Sequence, residues 1–257
     1  MRRRVAIPAL IALLAIGWAT TSKAERVIDD GLEVTFNANF APHVLPRDRP
    51  APVKVEIHGR VATTDGSHPP PLRWLEVTLN RNGHLFNKGL PVCSAPLLQS
   101  TSTETALERC RPAQVGQGVF RAEVLLGRKI PVSGRILAFN TRYRKRPGLL
   151  LHFFAGAPVR FTLVVPLTIG YRDEGEFGTV LRAKVPKLGG DLGSVTQIDL
   201  TIGRQYTFAG KRRSYISAAC ATPPGLQVAV FPFARGSFRF EAHREIRETL
   251  LRTCQVR

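Results

Sequence analysis

The feature that most restricts this chain is a two-residue alternation that recurs along its length. "LEVTFNANF" (32–40) sets Leu32, Val34 and Phe36 on one side and Glu33 and Thr35 on the other. "APVKVEIHG" (51–59) repeats it, with Val53, Val55 and Ile57 opposed to Lys54, Glu56 and His58. A period of two is the side-chain period of a strand, so each segment offers one apolar face to a core. "RWLEVTLN" (73–80) follows, closed by the turn residues "RNG". Later come "VFRAEVLL", "GRILAFN", "GLLLHFF", "RFTLVVPLTI", "GTVLRAKV", "TQIDLTI", "RQYTFAG", "RRSYISAAC", "VAVFPFA", "SFRFEAH" and "IRETLLRTC". Fourteen such segments with turn chemistry between them predict an all-β fold, an antiparallel β-sandwich built as one body or as two sandwich-like halves.

Composition agrees: 22 glycines, 19 prolines and a single methionine argue against a helical bundle. One helical stretch stands apart. In "TSTETALERC" (101–110), Thr101 and Glu104 have the spacing of a capping box and predict one short helix near 102–110. The best-marked seam is "NTRYRKRPG" (140–148), which would divide the chain into halves holding one cysteine pair each. The alternative is a loop within one large sandwich, and single domains of roughly 200–250 residues are common in this class.

The amino end carries an address. Arg2-Arg3-Arg4, an apolar run over 5–19, and small residues at Ser22 and Ala24 follow the order of a secretory signal peptide. The run suits a signal better than a membrane span, which needs about 20 residues. The sequence therefore predicts a signal peptide at 1–24 and an exported chain over 25–257, extracellular or in the cell envelope; an uncleaved anchor is the alternative. No later segment has the length of a span, because "GLLLHFFAGAPVRFTLVVPLTI" is interrupted by Gly156, Pro158 and Arg160.

Four cysteines, Cys93, Cys110, Cys220 and Cys254, suit an oxidising compartment. Three pairings are open, and the two local ones, Cys93–Cys110 and Cys220–Cys254, are favoured. Each closes a loop that the chain-entropy model values at about 3 to 4 kcal/mol. Zinc would want close ligand pairs such as C-x-x-C, which are absent. No metal or cofactor is expected.

Chemistry-bearing motifs are scarce. The sequence holds no G-x-S-x-G elbow and no H-E-x-x-H. His43, His58, His68, His84, His152 and His243 are dispersed, with His152 inside an apolar strand as a core or edge residue. The densest acidic cluster is "YRDEGEFG", with Asp173, Glu174 and Glu176. Paired carboxylates could act as acid and base in sugar hydrolysis or bind calcium, but the flanking glycines suit a solvated hairpin tip better. "KLGGDLGS" (187–194) lacks the lysine-serine ending of a phosphate loop and also reads as a turn.

Charge is the remaining signal. Four of the 37 cations and none of the 19 acids fall in 1–24, which leaves 33 against 19, a formal +14. Arginine outnumbers lysine 29 to 8, either for bidentate anion contacts or through genomic base composition. In "FAGKRRSYISAAC" (208–220) the cations Lys211, Arg212 and Arg213 follow a hairpin whose turn is expected at Gly210-Lys211, of type II′. Alternation then places Ile216 and Cys220 inward and Arg213 and Tyr215 outward. Charge at such a tip protects a sheet edge. It could also grip a polyanion, together with Arg142, Arg144, Lys145 and Arg146 of "RYRKR" (142–146). The partners considered are acidic cell-wall polymers and anionic lipid head groups. Nucleic acid ranks last, since no recognised binding motif accompanies the charge.

"LPRDRPAPVKVEIHG", "KGLPVC", "IGRQYTFAGKRRSYISAAC", "FPFARGSFRF" and "TLLRTCQVR" together resemble a group of exported, cysteine-paired β proteins of high-GC soil actinobacteria. The resemblance implies a secreted β fold with two disulfides and brings no activity and no functional residue. Two functions are weighed: a non-catalytic envelope protein that binds an anionic polymer through a basic surface, and a secreted glycan hydrolase using carboxylates near 173–176.

Overall fold

The computed structural model describes residues 25–241 and 245–257; the expected signal peptide, 1–24, and His243 lie outside the described residues. Strands β1 (Glu25–Asp29), β2 (Leu32–Ala41), β3 (Val44–Leu45), β4 (Ala51–Pro52), β5 (Lys54–Thr63), β6 (Leu72–Asn80) and β7 (Gly83–Leu85) come first. Two helices follow, α1 (Ala95–Leu98) and α2 (Thr103–Cys110). The chain continues through β8 (Gln114–Leu125), β9 (Lys129–Tyr143), β10 (Arg146–Ala155), β11 (Phe161–Glu174), β12 (Phe177–Lys184) and β13 (Gly193–Ile202). It ends with β14 (Gln205–Phe208), β15 (Lys211–Ser214), β16 (Ile216–Ala218), β17 (Val228–Phe240) and β18 (Glu245–Val256).

The all-β class is as the alternation predicts. β2 has the expected two-residue pattern, with Leu32, Val34, Phe36, Ala38 and Phe40 all buried. Thirteen strands form one sheet in the order β1-β2-β5-β13-β8-β9-β10-β11-β12-β6-β17-β18-β3. Among the described residues every pairing in it is antiparallel except the short parallel β18–β3 contact. The sheet curls until β18 packs against β1 and β2, so the facing layers are opposite walls of one continuous sheet. Residues 140–148 belong to the β9–β10 hairpin, and strand pairing continues on both sides of it.

Curling brings neighbouring backbones close, and glycine admits that. A Cβ at Gly118 of β8 would lie 1.9 Å from the Asp199 carbonyl oxygen, and one at Gly134 of β9 would lie 2.1 Å from that of Phe154. A side chain at either place would push adjacent strands apart.

Runs that read as continuously apolar rather than alternating are buried on both faces. Leu137 and Phe139 of β9, Leu150 of β10 and Val164 of β11 point away from the interior and pack under Leu98, Ala106, Cys93 and Cys110 of the helical segment. The Cys93–Cys110 disulfide, with 5.5 Å between Cα atoms, staples that cover. The second bond, Cys220–Cys254 at 5.8 Å, ties β18 to the chain just after β16. Both pairings are those expected, and both fit an oxidising environment. The helix cap differs from expectation: Ser102 is the N-cap, accepting from the Thr105 amide. Thr101 instead turns inward and donates its hydroxyl to the Leu98 carbonyl at 2.8 Å, which fixes the turn between α1 and α2.

Inside the curl the apolar side chains do not close up completely. A cavity of about 270 Å³ lies between the walls, lined by Val55 and Ile57 of β5, Leu75 and Val77 of β6, Leu181 of β12 and Phe233 of β17 among others. Each of these six points inward yet is only partly buried.

Candidate functional site

The basic residues sit on two hairpins. In the β9–β10 hairpin Tyr143 pairs with Arg146, so Arg144 and Lys145 form a two-residue turn, with φ of 51° and 65°. Such turns need positive φ at both central positions and are usually Asn-Gly. Two long cations held there cost about 1–3 kcal/mol each in backbone strain, yet they project from the most exposed point of the hairpin.

The β14–β15 hairpin corrects the expected turn by one residue. Phe208 pairs with Lys211, so the turn is Ala209-Gly210, with φ of 51° and 72°. Positive φ at both positions matches type I′, whose twist suits the strands. Lys211 is thus the first residue of β15 and, like Arg212 and Arg213, is exposed. The expected alternation through 220 also fails at one place. Ile216 is buried as predicted, but Tyr215, expected outside, is 1% exposed. β15 ends at Ser214 and β16 begins at Ile216, in a different sheet. Between them Tyr215 donates its amide to the Arg204 carbonyl at 2.7 Å and accepts from the Phe86 amide at 2.9 Å. Its side chain therefore follows neither strand's pleat.

The segment 86–92 joins the two hairpins. On one side the Tyr206 hydroxyl lies 2.9 Å from the Lys88 carbonyl and 3.1 Å from that of Phe86, donating to both. The Phe208 ring lies over Gly89, where a Cβ would be 2.0 Å from it, and the Arg213 guanidinium stands 5.2 Å from the centre of the Phe86 ring. On the other side Asn140 donates through Nδ2 to the Pro91 carbonyl at 2.9 Å, and the Cys93 amide donates to the Asn140 carbonyl at 2.9 Å. Lys88, Gly89, Arg142, Lys145 and Pro147 line a cleft between this segment and the β9–β10 hairpin. Arg142, Arg144, Lys145, Arg146, Lys211, Arg212 and Arg213 are all exposed. Among the described residues none of these seven forms an ion pair with a carboxylate.

The acidic cluster is arranged differently. Asp173 and Glu174 lie at the exposed end of the β11–β12 hairpin, where Arg81 holds Asp173 at 2.7 Å. Arg172 and Arg235 hold Glu174 at 2.9 and 3.0 Å. Glu176 is exposed beside Gly175, whose φ is 59°. Asp173 and Glu174 are thus held by different arginines on an open tip rather than directed at each other. Among the described residues no group of three or more His, Cys, Asp and Glu side chains could hold a metal ion.

His152 is a core residue. Its Nε2 lies 3.1 Å from the Thr101 hydroxyl and 3.2 Å from the Thr101 carbonyl. Because that hydroxyl already donates to Leu98, both contacts are acceptors and Nε2 carries the proton. Burial pushes the imidazole below its ordinary pKa, and the Thr101 carbonyl opposes this.

Lys88, Phe86 and Asn140 were not singled out from sequence. The clue was present in "FNKGLPVC" (86–93), where an aromatic, a cation and a positive-φ glycine precede a disulfide cysteine. Its proximity to two hairpins far along the chain was not. No helix among the described residues is long and apolar enough to cross a membrane. No protein-family model, curated protein or solved structure matches the chain.

Proposed function

We propose that this chain is a non-catalytic, exported protein of the extracellular space or cell envelope that binds an anionic polymer through the face built by its two basic hairpins. The observation that carries this reading is the segment 86–92, which holds the β9–β10 hairpin on one side and the β14–β15 hairpin on the other. Unpaired cations on a rigid frame favour contact with a polyanion, because no internal carboxylate must be displaced first. Arginine predominates, and its planar fork suits carboxylate and phosphate oxygens. The two disulfides and the resemblance to exported actinobacterial β proteins support the location.

The test is binding to poly-glutamate and to a teichoic-acid-type polyphosphate at rising salt. Affinity should fall steeply between low and physiological ionic strength, as expected when each contact releases counterions. Reversing Arg142, Lys145, Lys211 and Arg213 to Glu should abolish it, whereas reversing Arg49, Lys54, Arg121 and Arg128 should have a much smaller effect. Equal loss in the two quadruple variants would reduce the face to general charge and remove the proposal.

A further inference from the structure

Behind the basic face lies a feature that surface charge does not explain. The cavity between the walls is lined almost wholly by aliphatic and aromatic side chains, with Phe40, Leu151, Phe153, Leu167 and Phe231 adding to those already named. Its size, about 270 Å³, exceeds the roughly 150 Å³ apolar hole that takes up benzene in an engineered protein. Close-packed interiors do not leave such space.

Among the buried polar side chains of the lining, one stands out. Tyr215 is among the lining residues, is 1% exposed, and its hydroxyl has no hydrogen-bond partner in the protein. The other buried polar residues of the lining are engaged. Asn80 donates to the Pro232 carbonyl and accepts from the Asn82 amide, and Ser194 donates to the Pro69 carbonyl. Buried hydroxyls are almost always bonded, so a lone phenol at an apolar cavity marks the place for a ligand oxygen.

We infer that the interior is a binding site for an uncharged lipid, a long apolar chain carrying an ester or ketone oxygen that accepts from the Tyr215 hydroxyl. A charged head is disfavoured at that end. Among the described residues of the lining, Arg60 is the only Lys or Arg; it is exposed and lies on β5, in register with Gln197 rather than near Tyr215. Burial also pushes the Tyr215 phenol above its ordinary pKa, so it stays a neutral donor. Tyr215 accepts from the Phe86 amide, which puts the polar end of the cavity directly behind the 86–92 segment. This inference does not depend on the anion-binding reading.

The experiment uses the oxidised chain over 25–257 and diphenylhexatriene, a hydrocarbon that fluoresces on entering apolar sites. The protein should enhance its fluorescence, and methyl palmitate should displace it more effectively than palmitate. Tyr215→Phe should leave probe binding unchanged and weaken methyl palmitate about tenfold, the loss of one buried hydrogen bond. Val77→Phe, which fills the cavity from β6, should reduce binding of probe and ester together, with thermal melting showing both variants folded. Absence of enhancement in the folded wild type overturns the site. Equal displacement by the ester in wild type and Tyr215→Phe overturns the role of the phenol, and stronger displacement by palmitate overturns the uncharged head.

Discussion

Arg252 of β18 reaches across the seam of the curled sheet and donates from Nε to the Ala38 carbonyl of β2 at 2.7 Å, while its Nη2 donates to the Asn37 side chain. β2 and β18 lie near opposite ends of the strand order, and among the described residues no backbone ladder joins them. The guanidinium takes the place of that ladder. Aromatic contacts from Phe36 to Phe238 and from Phe40 to Phe233, at 5.2 and 5.4 Å between ring centres, flank it. Burial pushes the Arg252 pKa down, with Glu25 opposing, but an arginine remains charged throughout the physiological range.

Arg252→Ala should therefore lower stability by about 2–4 kcal/mol, since buried hydrogen bonds to a charged group contribute roughly 1.5–3 kcal/mol each. Arg252→Lys should recover little, because an ammonium lacks the fork that serves two acceptors. Urea unfolding measures both. A loss under about 0.5 kcal/mol would mean that the aromatic contacts alone hold the seam.

Ile216 and Arg213 lie three residues apart and should behave oppositely. Ile216 is 7% exposed, so Ile216→Ala should cost about 2–5 kcal/mol. Arg213 is exposed over the Phe86 ring, so Arg213→Ala should cost less than about 0.5 kcal/mol. Thermal melts that place the two variants together would contradict this division between core and surface.

Lys145→Gly should make the protein more stable and bind less well. Glycine relieves a φ of 65°, with an expected gain of about 0.5–1 kcal/mol. The same change removes one cation from the cleft beside Lys88, so affinity for poly-glutamate should fall. A variant that gains stability without losing affinity would show that the tip takes no part in binding.

His152 should make stability depend on acid. The unfolded chain takes up this proton near its ordinary pKa, about 6.5. The folded chain does so only at lower pH, because burial disfavours the imidazolium. Between those two values the unfolded state binds more protons, so the contribution is complete above about pH 6.5 and is lost as pH falls below it. Urea midpoints from neutral to mildly acid pH should fall in the wild type and fall less in His152→Gln. Parallel curves would assign the acid sensitivity elsewhere.

Local alternation and turn residues by themselves determined that the chain is all-β, where most strands lie, and that a short helix runs up to Cys110; they favoured the two local cysteine pairings, which the folded chain then selected. Each follows from neighbours within one strand, one turn or one short loop. The tertiary structure decided the rest. Whether strands stack as two sheets or curl into one depends on pairings such as β13 with β5 and β8, and β6 with β12 and β17, which no periodicity encodes. The inward turn of Tyr215 depends on bonds to Arg204 and Phe86, contacts made at the break between β15 and β16 that the expected continuous strand did not contain. The basic face required "RYRKR" and "KRRS" to meet across residues 86–92, and the cavity required facing walls whose side chains stop short of each other. Both come from packing between segments distant in sequence, whereas patterning reports only what a segment needs, a buried face or an exposed one, and not which partner supplies it.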